Sequence, residues 1–145
     1  MEPNLVIDPL LDALNELKQR EPIFHRPEFG TTRADFERMM EPTFSEVGAS
    51  GRCYSREFVL EELEKRYAKQ KEEDDWQTRD FHCLEIAANN YLLTYTLIQG
   101  ARVTRRATIW RRTADGWTIV YHQGTVVEIQ SEDSEDERRQ DHRAP

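Results

Sequence analysis

Among the 145 residues, the side chains best suited to chemistry are His122, Glu46 and Trp110. An imidazole titrates near neutrality, so His122 can serve as a general acid or base; the plainer reading is a half-buried, hydrogen-bonded strand histidine. Glu46 stands in the run Phe44-Ser45-Glu46-Val47. Turned into a pocket it would be desolvated, which raises a carboxyl's pKa and makes it a usable proton acceptor. Turned to water it would be an edge-strand charge or a partner for Arg52. Trp110 and Thr108 would add an aromatic wall and a hydroxyl, Tyr54 a second ring, and His25 a polar group at the mouth. The candidate set is therefore Glu46 and His122 for catalysis, with Trp110, Thr108, Glu46, His122, His25 and Tyr54 for ligand binding. Histidines 25, 82, 122 and 142 and cysteines 53 and 83 show no metal-ligand spacing. The chain also lacks a Gly-rich phosphate loop and a GxSxG elbow. An enzyme built from these groups would transfer protons on a small organic substrate with no cofactor and no metal.

The element that must position Trp110 and His122 is a long hairpin, ARVTRRATIWRRTADGWTIVYHQGTVV, residues 101–127. Side chains alternate along a strand, so the turn decides whether the two residues share a face. A loop of Ala114-Asp115-Gly116, closed by Gly in the left-handed region, pairs Thr108 with His122 and Trp110 with Val120. One face then carries Thr108, Trp110, Val120 and His122, a mixed set suited to a pocket. The other carries Val103, Ala107, Ile109, Trp117, Ile119 and Tyr121, too apolar to leave in water. Helices can cover one side, and a second copy of the chain is the natural cover for the other, so a homodimer is expected. The arginines at 102, 105, 106, 111 and 112 read as a solvated strand face rather than an anion site.

The remaining elements announce themselves by caps and periodicity. Asp8-Pro9 opens a helix whose apolar residues are Leu10, Leu11, Leu14 and Leu17. The segment Ile23-Phe24-His25 is a loop carrying two large apolar groups, which must fold over the body. Thr32 to Asp35 is a capping box with Asp in place of Glu, and Ser55 caps a third helix to about Lys69. Short strands surround Gly48 to Gly51. Trp76–Ile86, Tyr91–Gln99, Val103–Arg112 and Trp117–Val127 form an antiparallel meander. A formal charge of −8 argues against nucleic acid, whose phosphates need basic surface. No apolar run is long enough to span a membrane, and the first residues do not look like an export signal, so a cytoplasmic protein is expected. Residues 131–145 hold six acids and three arginines and read as a disordered tail on a domain of residues 1–130.

The segments FSEVGASGRCYSREFVLEEL and TRRATIWRRTADGWTIVYHQGT resemble the domain-of-unknown-function branch of the nuclear transport factor 2-like superfamily, which includes SnoaL-like cyclases and ketosteroid isomerases. The likeness spans about residues 5–128. It rests on Glu46-Val-Gly-x-Ser-Gly51-Arg, Trp110-Arg-Arg and His122-Gln-Gly-Thr125. The resemblance implies an α+β cone in which a strongly curved antiparallel sheet wraps three N-terminal helices. It also implies a pocket on the concave face, and dimers packed through the convex one. Because the superfamily includes enzymes and pure binding modules, two functions stay open. One is a small-molecule binder or proton-transfer enzyme; the other is a non-catalytic interaction or adaptor module.

Overall fold

A computed structural model of the chain describes residues 8–69 and 75–128. The tail expected from residue 131, and residues 70–74 of the charged connector, lie outside the described residues. Three helices form where their caps indicated. α1 (Pro9–Lys18) starts at Asp8, whose carboxylate accepts the Leu10 and Leu11 N–H groups at 3.1 and 3.3 Å. α2 (Arg33–Met39) begins with a reciprocal capping box between Thr32 and Asp35. α3 (Arg56–Ala68) is capped by Ser55, which accepts the Phe58 N–H at 3.1 Å.

The described residues also form six strands, two of them before α3: β1 (Met40–Val47), β2 (Cys53–Ser55), β3 (Gln77–Ala87), β4 (Asn90–Gln99), β5 (Arg102–Thr113) and β6 (Gly116–Val126). They make one curved sheet in the order β2-β1-β6-β5-β4-β3. The meander β3 to β6 is antiparallel, as expected. The β1–β2 hairpin, read from sequence as a separate short unit, joins the same sheet: β1 lies parallel to β6, with Glu46 beside His122. The sheet is therefore mixed rather than purely antiparallel.

The β5–β6 hairpin differs from its expected register in an instructive way. Thr113 pairs with Gly116, leaving a loop of only Ala114 and Asp115. That loop alone would place Trp110 and His122 on opposite faces. A bulge at Val120 restores the alignment, because Trp110 pairs with Ile119 while Ile109 pairs with Tyr121 and Thr108 with His122. Thr108 and His122 thus face each other as expected, but by a different device. The bulge also turns Trp117 and Ile119 inward, where both are buried, instead of onto the outer face.

The core lies between the inner sheet face and the helices. Ala13 and Leu17 of α1, Phe36 of α2 and Val59, Leu60 and Leu63 of α3 pack against Leu93, Leu97, Trp110, Trp117 and Ile119. Each of the larger side chains contributes about 1.5–3 kcal/mol by leaving water. Ile23 and Phe24 are buried in the same core, so the loop after α1 folds over the body as its composition required. The outer face keeps an apolar row, Leu84, Leu92, Ile109 and Tyr121, running in register across β3 to β6. Leu84 is 60% exposed and Ile86 51%.

Candidate functional site

Pairing β1 with β6 builds the site. Alternation along β6 sends His122 and Gly124 inward, and the parallel register brings Glu46 alongside them. α3 contributes Arg66 and Tyr67 opposite, and the loop after α1 contributes Phe24, His25 and Arg26. These elements enclose an open cavity of about 1000 Å³ whose lining includes His25, Glu46, Tyr54, Trp76, Arg106 and His122. The Tyr54 ring stacks on Phe58 with centroids 4.9 Å apart. Gly48 makes room for it, since a Cβ there would stand 2.7 Å from the ring. The Arg26 guanidinium lies over Trp76 at 4.6 Å from the ring centroid.

The inner end of the cavity is a chain of polar groups. Arg106 runs across Gly124, where an added Cβ would come within 3.3 Å of its Nε. Its Nε donates to Thr104 Oγ1 at 3.0 Å, and its Nη1 lies 3.2 Å from His122 Nε2. His122 Nδ1 lies 2.9 Å from Thr108 Oγ1, and Thr108 donates to Glu21 Oε2 at 2.7 Å. Glu21 Oε1 accepts the Ile23 N–H at 3.1 Å. Glu46 Oε1 stands 4.0 Å from His122 Nε2.

Burial governs the charges here. His122 is 1% exposed, and desolvation, reinforced by electrostatic repulsion from the Arg106 guanidinium and from His25, pushes its pKa down to about 3. It is a neutral imidazole at physiological pH, and its Nε2 lone pair is taken by Arg106. Desolvation likewise raises the Glu46 carboxyl above its usual range, with Arg106 and Arg66 pulling the other way. Glu21, completely buried, is raised to about 7; burial dominates over the hydrogen bond from Thr108, the charge of Arg106 and the Ile23 N–H.

The structure brings Glu46, His122, His25 and Tyr54 together around the cavity and sets Thr108 directly behind His122. Trp110 stands apart. It packs edge-on to Trp117 at 6.5 Å in the core and faces a separate small void beside Phe29, Phe36 and Met39, across Phe24 from the cavity. Two site residues were missed by sequence reading. Arg106 was grouped with solvated arginines, although its parity with Thr104, Thr108 and Trp110 places it on the inner face. Glu21, next to Pro22 at the end of a helix, gives no periodic signal.

Six strands curving around three helices, with a polar-ended cavity on the concave side, define an α+β cone of the nuclear transport factor 2-like or cystatin-like type. No protein-family model and no curated protein matches the chain. Solved structures do. An uncharacterised cystatin-like protein from Caulobacter vibrioides is 16% identical with a TM-score of 0.64, covering 90% of this chain and 96% of its own. A nuclear transport factor 2-like protein from Cytophaga hutchinsonii is 11% identical with a TM-score of 0.61, over 83% and 100% of the two chains. A protein of that family from Streptomyces avermitilis, described as a candidate dehydratase, is 19% identical with a TM-score of 0.61, over 83% and 95%. At these identities the likeness is one of fold. No helix among the described residues is long and apolar enough to cross a membrane.

Proposed function

We propose that the chain binds a small organic molecule in the cavity beneath β1 and β6 and, as an enzyme, moves a proton on it without a cofactor. The observation that supports this most directly is that two groups of opposite charge, Glu46 and Arg106, line the same cavity close enough to influence each other electrostatically. Glu46 is a desolvated carboxyl able to accept a proton, and Arg106 is a held guanidinium whose remaining N–H groups can receive an oxygen. The pair suits a carbonyl compound bearing a weakly acidic hydrogen, with the oxygen on Arg106 and the hydrogen toward Glu46. His122 acts in this reading as a neutral support for Arg106 rather than as the base. The description of a structural neighbour as a candidate dehydratase is in keeping with proton transfer on this scaffold. The expected setting is the cytoplasm.

Native mass spectrometry of the purified protein tests the binding half by revealing any co-purified small molecule. A thermal-shift screen of small ketones, aldehydes and carboxylic acids supplies probes if none co-purifies. Exchange of hydrogen for deuterium in a bound probe, lost in Glu46→Gln, tests the chemistry. A screen without any hit that depends on Arg106 removes the reading.

The outer sheet face favours a second reading alongside the first. The row Leu84, Leu92, Ile109 and Tyr121, with Leu84 and Ile86 well exposed, is the kind of surface that a second copy of the chain covers. A homodimer through this face serves either an enzyme or a non-catalytic adaptor.

A further inference from the structure

We infer that Glu21 is a positioning residue for the cavity: acting through Thr108, it fixes the tautomer of His122 and with it the placement of Arg106. The inference deepens the ligand-binding reading above, since Arg106 is the donor on which that reading depends.

The direction of the chain follows from its two ends. A guanidinium has hydrogens and no lone pair, so Arg106 can only donate to His122 Nε2 across their 3.2 Å contact. Nε2 must then be bare. A neutral imidazole with a bare Nε2 carries its hydrogen on Nδ1, which lies 2.9 Å from Thr108 Oγ1. Thr108 therefore accepts from His122 and is left with one hydrogen of its own. Above about pH 7 the Glu21 carboxyl is ionised; a carboxylate has no hydrogen and only accepts, so Thr108 gives that hydrogen to Glu21 Oε2 at 2.7 Å. Every member donates toward Glu21. Reversing the Thr108–His122 bond would move the imidazole hydrogen to Nε2 and set two hydrogens against each other at the Arg106 contact.

Glu21 is also held more firmly than a surface carboxylate. Arg26 donates from Nε and Nη2 to the Glu21 carbonyl oxygen at 3.0 and 2.8 Å, and the Ile23 N–H takes the other carboxylate oxygen. Tyr95, buried beside it, is the further polar neighbour. Burying a carboxylate completely is costly, and a merely space-filling role at this position would be served better by an apolar residue. What an apolar residue cannot do is impose a direction on Thr108. Glutamine cannot do so either, because its amide offers both hydrogens and an oxygen. With an amide at the end, Thr108 is free to donate to Nδ1, the imidazole hydrogen moves to Nε2, and Arg106 loses its acceptor.

Two-bond proton–nitrogen correlation spectra of the full chain at pH 8, without ligand, read the His122 nitrogens directly. The wild type should show a protonated Nδ1 and a bare Nε2, and Thr108→Ser should keep that pattern. Glu21→Gln and Thr108→Val should shift the populations toward the Nε2-protonated form while the backbone spectrum stays that of a folded chain. A protonated Nε2 in the wild type overturns the inference. So does a wild-type pattern in Thr108→Val, which decides the matter if Glu21→Gln does not fold. Because no ligand is present, failure here leaves the binding proposal standing, and a cavity that binds nothing leaves the His122 assignment standing.

Discussion

Glu46 Oε1 approaches His122 Nε2 to 4.0 Å across a parallel strand pair, yet the two do not form an ion pair, because His122 is held neutral. The proximity therefore contributes little to stability. It leaves a carboxyl in a desolvated place with its proton affinity raised rather than lowered.

The first expectation follows from that sign. A carboxyl whose folded pKa is raised makes the native state less stable once it ionises above the unfolded value. Glu46→Gln should accordingly be at least as stable as the wild type at pH 8 in urea unfolding, while losing deuterium exchange into a bound carbonyl probe. A loss of stability of more than about 1 kcal/mol, the range of an ordinary surface ion pair, would show that Glu46 serves the fold instead.

A second expectation concerns pH and couples two buried groups. Glu21 moves from 4.5 in the unfolded chain to about 7, so between these values the native state keeps a proton that the unfolded chain releases. Stability then falls as pH rises. His122 moves from 6.5 down to about 3, so the unfolded chain takes up a proton that the native state refuses, and stability rises with pH over that window. The groups facing them are Arg106, Thr108, Tyr95 and the Ile23 N–H around Glu21, and Arg106, His25, Thr108 and Glu46 around His122. From about pH 4.5 to 6.5 the two slopes oppose each other and nearly cancel. Glu21→Gln should expose the His122 slope, gaining on the order of 1.4 kcal/mol per pH unit relative to wild type as pH rises. His122→Asn should show the opposite slope. Chemical denaturation at four pH values checks both signs.

Gly124 should be intolerant of a side chain for a reason tied to Arg106. An added Cβ would stand 3.3 Å from Nε and 3.5 Å from Cδ and Cζ, so the guanidinium must shift by a few tenths of an ångström. Gly124→Ala should weaken any carbonyl or carboxylate probe that binds the cavity by about tenfold. The circular dichroism spectrum should remain that of the wild type. Equal affinity would show that Arg106 is not the receiving group.

The outer row offers a test of assembly. Light scattering coupled to size exclusion should give the mass of a dimer for the wild type at micromolar concentration. Leu84→Glu combined with Ile86→Glu should give the mass of a monomer, since a charge on a buried interface is strongly unfavourable. A monomeric wild type removes the dimer.

What could be read from sequence was whatever depends on neighbours in the chain. Asp8, Thr32 and Ser55 announced three helix starts because a cap is a contact within three residues. The meander was legible from alternation and turn residues, and so was the facing of Thr108 and His122, although the structure reaches it through a bulge at Val120 rather than a longer loop. The partnership of β1 with β6 was not legible, because alternation along a strand says nothing about which strand lies beside it. Trp110 looked like a pocket residue for the same reason: its parity was right, but distance along β5 carries it past Phe24 into the core. Glu21 was hidden because burial of a lone acid at a helix end is decided wholly by tertiary packing.

The hydrogen bond between Thr108 and Glu21 ties residues 87 positions apart, and its consequence is kinetic. Contacts between distant parts of a chain form late, after loop-closure entropy has been overcome. A folding intermediate holding only the β3 to β6 meander would possess Arg106, Thr108 and His122, yet nothing to give their hydrogens a direction, and no Glu46 beside them. The inner wall of the cavity is thus assembled from the first and last thirds of the described chain, and becomes competent only when folding is complete.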